Sequence, residues 1–333
     1  GDWPGMRGFV AAYKASNGKL VWRHATIPDK GEPGAETWGE GLSKTAGGGA
    51  TWSTGSYDPE TDTLYWATGN PYPDSNGRAR PGDDLYTNCI LALNPDTGKL
   101  KWYYQVTPHD VHDWDATAPL VLVDTKYQGR QRKLLLFTNK NGFFYVLDRT
   151  NGHVLLAKNF VRVTWASGIG PDGRPHLLPE DDLVCPRIGT NWNAKAFSPV
   201  TRLYYVMALE KCVVKRSAGG RTAKNLQIEP ARKYLRALNI DSGKEVWEIP
   251  EFGPASAEDK QEQDAGVLAT AGGLLIYGDP SGNIVAADDR YGKTLWHFPT
   301  NGENKASPMT YMVDGKQVIA IAVGPNIFCF GLP

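Results

Sequence analysis

An all-β fold assembled from repeated sheet units is what this sequence predicts, on three observations. One turn phrase recurs five times at spacings that suit four-stranded sheets. Turn formers and aromatics are plentiful, with 37 Gly, 23 Pro, 11 Trp and 15 Tyr among 333 residues. Helical periodicity is absent over any useful length. Blade-length repeats of short strands with periodic Gly and aromatic residues mean a β-propeller.

The repeats justify this in order. Residues 12–22 read AYKASNGKLVW and residues 92–102 read ALNPDTGKLKW. A degenerate copy without Trp, VLDRTNGH, occupies residues 146–153. Residues 237–247 read ALNIDSGKEVW, and residues 286–296 read AADDRYGKTLW. Each copy is strand, tight turn, strand, with Gly supplying the positive φ of the turn. The repeat glycines are Gly18, Gly98, Gly152, Gly243 and Gly292. The shorter intervals between them fit one four-stranded blade. The longer ones fit a blade with a large insertion, or two blades of which one lacks the motif. Further strand-turn-strand units lie at residues 57–69 and 197–206. Five copies give five to six blades. The recurring Trp22, Trp102, Trp247 and Trp296 are expected to be structural, packing between blades.

Composition narrows the function. Thirty-six basic and 36 acidic side chains balance to zero, which argues against a nucleic-acid binder or a polybasic membrane-surface protein. The longest aliphatic run, residues 318–323, is far below the roughly 20 residues of a membrane helix. The four cysteines, Cys89, Cys185, Cys212 and Cys329, show neither CxxC nor zinc spacing. No leader sequence is present, and the opening residues read as an interior start.

Chemistry is expected on loops. The densest cluster is Pro108-His109-Asp110-Val111-His112-Asp113-Trp114-Asp115. It can bind a hard cation or supply a general base, and an extended segment would put Asp113 and Asp115 on one face. A solvated charged loop accounts for it about equally well. Gly47-Gly48-Gly49-Ala50-Thr51-Trp52 lets backbone approach closely; read alone, it favours a flexible turn before a core Trp. Ala67-Thr68-Gly69-Asn70-Pro71 holds an Asn carbonyl rigidly before Pro, or forms an Asx turn. Gly168-Ile169-Gly170-Pro171-Asp172-Gly173 matches GxGxxG but lacks a strand-to-helix setting.

Together these motifs resemble the pyrroloquinoline quinone (PQQ)-dependent alcohol dehydrogenases, the methanol/ethanol quinoprotein family. The resemblance covers nearly the whole chain. It implies an eight-bladed propeller with five to six blades present, one domain over residues 1–333 that lacks its N-terminal blades, and no C-terminal cytochrome domain. By resemblance, Trp52 is the floor under the quinone, Asn70 a metal ligand, and Asp113 the catalytic base and a further ligand. Lys140, in Lys140-Asn141-Gly142, matches the basic residue that hydrogen-bonds the quinone oxygens, and Asn191 matches an Asn at the cofactor's reacting edge. Asp2 is the acid nearest the family's Gly-x-Arg-Gly phrase, here Gly5-Met6-Arg7-Gly8. It replaces the usual Glu and is displaced by one residue.

Asp115 leans the metal toward a lanthanide, with Ca2+ the alternative, because an added carboxylate suits a trivalent ion. Cys185 and Cys212 match a family disulfide, implying the periplasm; Cys89 and Cys329 are expected to be small core residues. The family's vicinal Cys-Cys ceiling has no counterpart, and Asp264 stands where many relatives have Trp. The implied reaction is oxidation of a small primary alcohol to an aldehyde, with PQQ as cofactor and cytochrome c as acceptor. No nucleic acid and no membrane span are expected, and a homodimer is left open. The alternatives are a PQQ-dependent sugar or polyol dehydrogenase and a non-catalytic propeller scaffold of the outer-membrane assembly type.

Overall fold

A computed structural model of the protein describes residues 5–41, 47–179, 181–218, 221–227, 230–251 and 265–331. Asp2 and Asp264 lie outside the described residues. The described helical pieces are two 3-10 segments, Ala35–Gly41 and Gly77–Ala79; the rest is strand and loop. Among the described residues no helix is long and apolar enough to cross a membrane.

Four antiparallel four-stranded sheets carry the architecture. The first is Ser56–Asp58, Thr63–Ala67, Cys89–Leu93 and Leu100–Gln105. The second is Val121–Tyr127, Arg130–Thr138, Phe143–Asp148 and His153–Asn159. The third is Ala196–Ser198, Leu203–Glu210, Arg232–Asn239 and Glu245–Glu251, and the fourth Val267–Ala269, Leu274–Gly278, Asn283–Asp288 and Thr294–Pro299. In each, consecutive strands are neighbours, the connectivity of a propeller blade. A strand pair, Phe9–Tyr13 with Leu20–Ala25, and a three-stranded sheet, Met309–Val313, Lys316–Val323 and Asn326–Gly331, complete the series. This agrees with the five to six blades read from the repeats.

The strand patterns follow from burial. Cys89–Leu93 (CILAL) is buried at every position, as a central strand covered on both faces must be. The outer strand Glu245–Glu251 (EVWEIPE) alternates instead between half-buried and exposed positions. Both long repeat intervals resolve into one blade with insertions. Between Gly18 and Gly98 the extra chain includes the short pair Gly47–Gly48 and Pro71–Tyr72. Between Gly152 and Gly243 it forms the hairpin Ala166–Ile169/Pro175–Leu177 and a three-stranded sheet. That first hairpin contains the GxGxxG match, which is a β-turn and not a nucleotide loop.

The repeat Trp and the repeat Gly explain each other. A Cβ on Gly98 would sit 2.4 Å from the Trp22 ring, one on Gly152 2.6 Å from Trp102, and one on Gly292 2.7 Å from Trp247. Each Trp lies flat on the turn of the following repeat, where only a hydrogen fits. Trp22 Nε1 donates to Pro95 O (2.7 Å) and Trp102 Nε1 to Arg149 O (3.2 Å). Trp296 differs: it packs against Phe298 and Phe330 and remains 42% exposed.

The chain divides into two compact units. The first comprises Gly1–Asn141, Tyr145–Ala157 and Ala166–Leu178; the second comprises Gly142–Phe144, Lys158–Trp165 and Pro179–Pro333. A core in the first gathers Val10, Leu85, Cys89, Leu91 and Leu93 with Trp22 and Trp66. A core in the second gathers Leu203, Tyr205, Met207, Leu235, Tyr277 and Val285 with Trp247. Buried Arg149 pairs with Asp58 (2.9 Å) and Asp124 (2.7 Å) in the first unit. Burial pushes the Asp58 carboxyl up, but hydrogen bonds from Arg149 and Thr61 outweigh it and bring it down to about 2.

Cys185 and Cys212 form a disulfide in the second unit, with Cα atoms 4.6 Å apart. Cys89 is buried as expected; Cys329 is exposed, contrary to expectation. Phe328 and Phe330 turn toward Phe298, so period-2 alternation puts Cys329 on the opposite face.

Candidate functional site

The candidate residues of the first unit sit on four loop segments, three tied together by backbone hydrogen bonds and the fourth by the Lys140 side chain. The glycine loop comes first. Gly47 and Gly48 pair antiparallel with Tyr72 and Pro71, Gly49 N–H donates to Asn70 O (2.9 Å), and Gly69 N–H donates to Ala50 O (2.8 Å). A Cβ on Gly48 would meet Asn70 O at 2.3 Å, so the glycines serve close approach of backbone rather than flexibility. The chain then delivers Trp52 with 50% of its surface exposed. That corrects the reading of a flexible turn before a core Trp. Flanking anchors hold the loop: Thr51 Oγ1 donates to Phe9 O, and Trp66 Nε1 donates to Thr51 O (3.3 Å). The Gly5-Met6-Arg7-Gly8 phrase runs beside it, with Gly48 N–H donating to Met6 O and Gly8 N–H donating to Gly48 O.

Asn70 lies at the next corner, buried. Its amide Nδ2 donates to Pro71 O (3.1 Å), and Oδ1 accepts no hydrogen bond among the described residues. Its main-chain N–H donates to Asp115 Oδ1 (3.0 Å). The other Asp115 oxygen accepts from Lys140 Nζ (2.7 Å), and Lys140 Nζ also donates to Asp113 O (3.2 Å). The Asp115 and Lys140 side chains are each 10% exposed, so charge is balanced across a dry pair. Asn70, Asp113, Asp115 and Lys140 are thus one hydrogen-bonded frame, joined through Gly69 and Ala50 to the loop that bears Trp52.

The loop of residues 108–115 is not extended. Asp113 has φ 63° and His109 φ 50°, both left-handed. Alternation therefore does not set the relation of Asp113 to Asp115. The partners of Asp115 set it: the Asn70 N–H, Lys140 and, at its main-chain carbonyl, Asn139 Nδ2 (2.9 Å).

Three supporting residues were given no role by the sequence, although Asp110 and Gly69 stand in the motifs quoted above. Asp110 is buried and accepts from His112 N–H (2.8 Å), Trp114 N–H (2.8 Å) and Asn88 Nδ2 (2.9 Å). Burial pushes its carboxyl up, opposed by those three donors. Arg80, 1% exposed, donates to Asp84 (2.6 Å), Pro73 O, Asp74 O and Asp110 O. Gly69 lets Asp115 in: a Cβ there would meet Asp115 Oδ1 at 2.6 Å. Part of what makes them matter is long-range: Asn88 reaches Asp110 across 22 residues, Arg80 reaches Asp110 O across 30, and Asp115 is distant in sequence from Gly69.

Asn191 belongs to the second unit, in the segment before strand Ala196–Ser198. Its Oδ1 accepts from Trp192 N–H (3.0 Å), and its main-chain carbonyl accepts from Lys195 Nζ.

The donors suit a hard cation beside a flat anionic group. Amide and carboxylate oxygens are ligands for Ca2+ or a lanthanide. A half-exposed indole offers a stacking face, and a buried ammonium offers a donor for acidic oxygens. Among the described residues no three His, Cys, Asp or Glu side chains converge on one point. The residues of the frame that carry side-chain oxygens are Asp113, Asp115 and Asn70.

Comparison with known proteins bears on the fold and the family. The sequence profile of the PQQ glucose/ethanol/alcohol dehydrogenase β-propeller domain matches residues 2–164 and 228–319. A quinohemoprotein alcohol dehydrogenase of Comamonas testosteroni is 37% identical over 96% of this chain and 50% of its own length. The quinoprotein alcohol dehydrogenase PedH of Pseudomonas putida is 34% identical over 96% of this chain and 59% of its own. The crystal structure of the Comamonas testosteroni enzyme superimposes with TM-score 0.85 at 34% identity, covering 96% of this chain and 53% of that one. A europium-containing methanol dehydrogenase superimposes with TM-score 0.82 at 31% identity, covering 95% and 61%. The chain therefore spans about half the length of the curated relatives it matches. With its blade sheets, its Trp-on-Gly repeats and a profile match over most of its length, the chain belongs to the PQQ glucose/ethanol/alcohol dehydrogenase β-propeller family.

Proposed function

We propose that the protein to which this chain belongs oxidises an alcohol to an aldehyde with PQQ and a bound cation, as one propeller domain spanning residues 1–333, in the periplasm. Electrons leave to a cytochrome c. The single observation that carries the reading is the frame joining Asn70, Asp115, Lys140 and Asp113 to the Trp52 loop. When bound, PQQ supplies the two-electron acceptor and the cation supplies Lewis acidity at its carbonyl.

The chain's own residues do the rest. Trp52 presents a flat apolar face on which a planar ring system is oriented. Asn70 Oδ1, Asp113 and Asp115 are the oxygens that hold the cation, with Asp2 a fourth by resemblance. Asp113 accepts the hydroxyl proton of the alcohol as general base. Lys140 holds positive charge where negative charge builds, in a site shielded from water. Asn191 takes its cofactor-binding role from the resemblance. Asp115 supports a lanthanide over Ca2+ by adding a carboxylate to the oxygen set.

The test is Asp113→Asn in the full-length enzyme reconstituted with PQQ and either Ca2+ or La3+. Dye-linked alcohol oxidation should fall by at least about 10³-fold, in the upper part of the range of a lost base. Retained activity would refute the base assignment.

A further inference from the structure

Asp110 is left unused by the proposed chemistry, although it is the most deeply enclosed acid of the cluster. Its carboxylate is 2% exposed by residue and accepts three N–H donors. Two of these, the main-chain N–H groups of His112 and Trp114, bracket Asp113 on either side. Asp113 itself holds φ 63°, the left-handed region that Asp and Asn enter more readily than other non-glycine residues. Asp110 is pinned in turn. Its main-chain carbonyl accepts from Arg80, whose guanidinium is fixed by Asp84, Pro73 O and Asp74 O. The His112 ring packs on the Trp114 ring at 4.2 Å between centroids, closing the turn from outside.

We infer that Asp110 is a positioning residue: its carboxylate staples the two amides flanking Asp113 and so fixes where the Asp113 carboxylate and main-chain oxygen point. This rests on the reading of Asp113 as general base. All three partners are donors, so the staple needs an acceptor at both oxygens. An asparagine offers one acceptor and one donor. The Asn88 amide can turn over to meet it, because Asn88 Oδ1 is buried without a partner. One of the two bracketing N–H groups cannot be satisfied in this way.

The experiment compares wild type, Asp110→Asn and Asp58→Asn in the full-length holoenzyme reconstituted with PQQ and cation. Asp58→Asn is the structural control, since it strips a buried carboxylate from Arg149 elsewhere in the same unit. Hydrogen exchange of the wild type should place the His112 and Trp114 amides among the slowest in residues 108–118. In Asp110→Asn one of them should exchange roughly tenfold faster or more. kcat should fall on the order of 10²-fold, with KM and PQQ affinity within about threefold, as expected of a misplaced base. Asp58→Asn should lower Tm and leave kcat unchanged. Fast exchange at both amides in the wild type would overturn the inference. So would Asp110→Asn retaining kcat, or losing no more of it than Asp58→Asn does. If the wild-type holoenzyme oxidises no alcohol, the general-base reading is what fails, and the positioning role falls with it. The exchange data then still report whether the staple exists.

Discussion

At the scale of single residues the site is set by which hydrogen bonds orient its oxygens, each carboxylate oxygen keeping a lone pair for a cation. Asp115 gives one oxygen to the Asn70 N–H and the other to Lys140, while Asn70 Oδ1 stays available. Gly69 makes this possible. Any Cβ at that position would press on Asp115 Oδ1 at 2.6 Å and on Ala50 O at 3.3 Å. Gly69→Ala should therefore push the carboxylate off Asn70 and loosen the Lys140 pair. The expected outcome is a loss of about 1–3 kcal/mol of stability from overpacking and roughly tenfold weaker cation binding. Thermal melts and cation titration followed by Trp fluorescence check both. Unchanged affinity would mean that the carboxylate has room to give. Trp52, Asn70, Asp113, Asp115 and Lys140 were legible in the sequence because each stands in a short motif. Arg80 stands in no such motif, and the motifs that contain Asp110 and Gly69 do not show the contacts that give these two residues their roles. Cys329 was misplaced because a strand-like sequence does not say which of its two faces is covered.

At the scale of elements the turn phrase carries the fold. A left-handed glycine closes each hairpin, and at Gly98 (φ 69°), Gly152 (77°) and Gly292 (70°) the same glycine receives the Trp of an earlier repeat. One residue thus serves local turn chemistry and packing onto the neighbouring repeat, which is why the phrase is visible without any structure. The insertions were not assignable from spacing, because an interval cannot distinguish an added sheet from an added blade. Trp102→Ala should test the docking rule. It removes a half-buried ring from Gly152 and the Nε1 hydrogen bond to Arg149 O. A loss of about 2–3 kcal/mol is expected, somewhat below that of a fully buried Trp, measurable by urea unfolding with the m-value unchanged. A loss under about 0.5 kcal/mol would show that the ring is surface decoration.

At the scale of the molecule, the Cys185–Cys212 bridge accords with the oxidising compartment proposed above. The fold class was legible throughout because it is periodic. The family was legible because it is carried by several independent motifs in one order. The account stands on the claim that the Trp52 face and the Asn70–Asp115–Lys140–Asp113 frame enclose a quinone and its cation. The most direct measurement is a crystal structure of the full-length protein grown with PQQ and Ca2+ or La3+. The account predicts a quinone lying on Trp52, a cation touching Asn70 Oδ1 and Asp113, and Lys140 at the quinone edge. A quinone and cation bound elsewhere, with the Trp52 face bare, would contradict it.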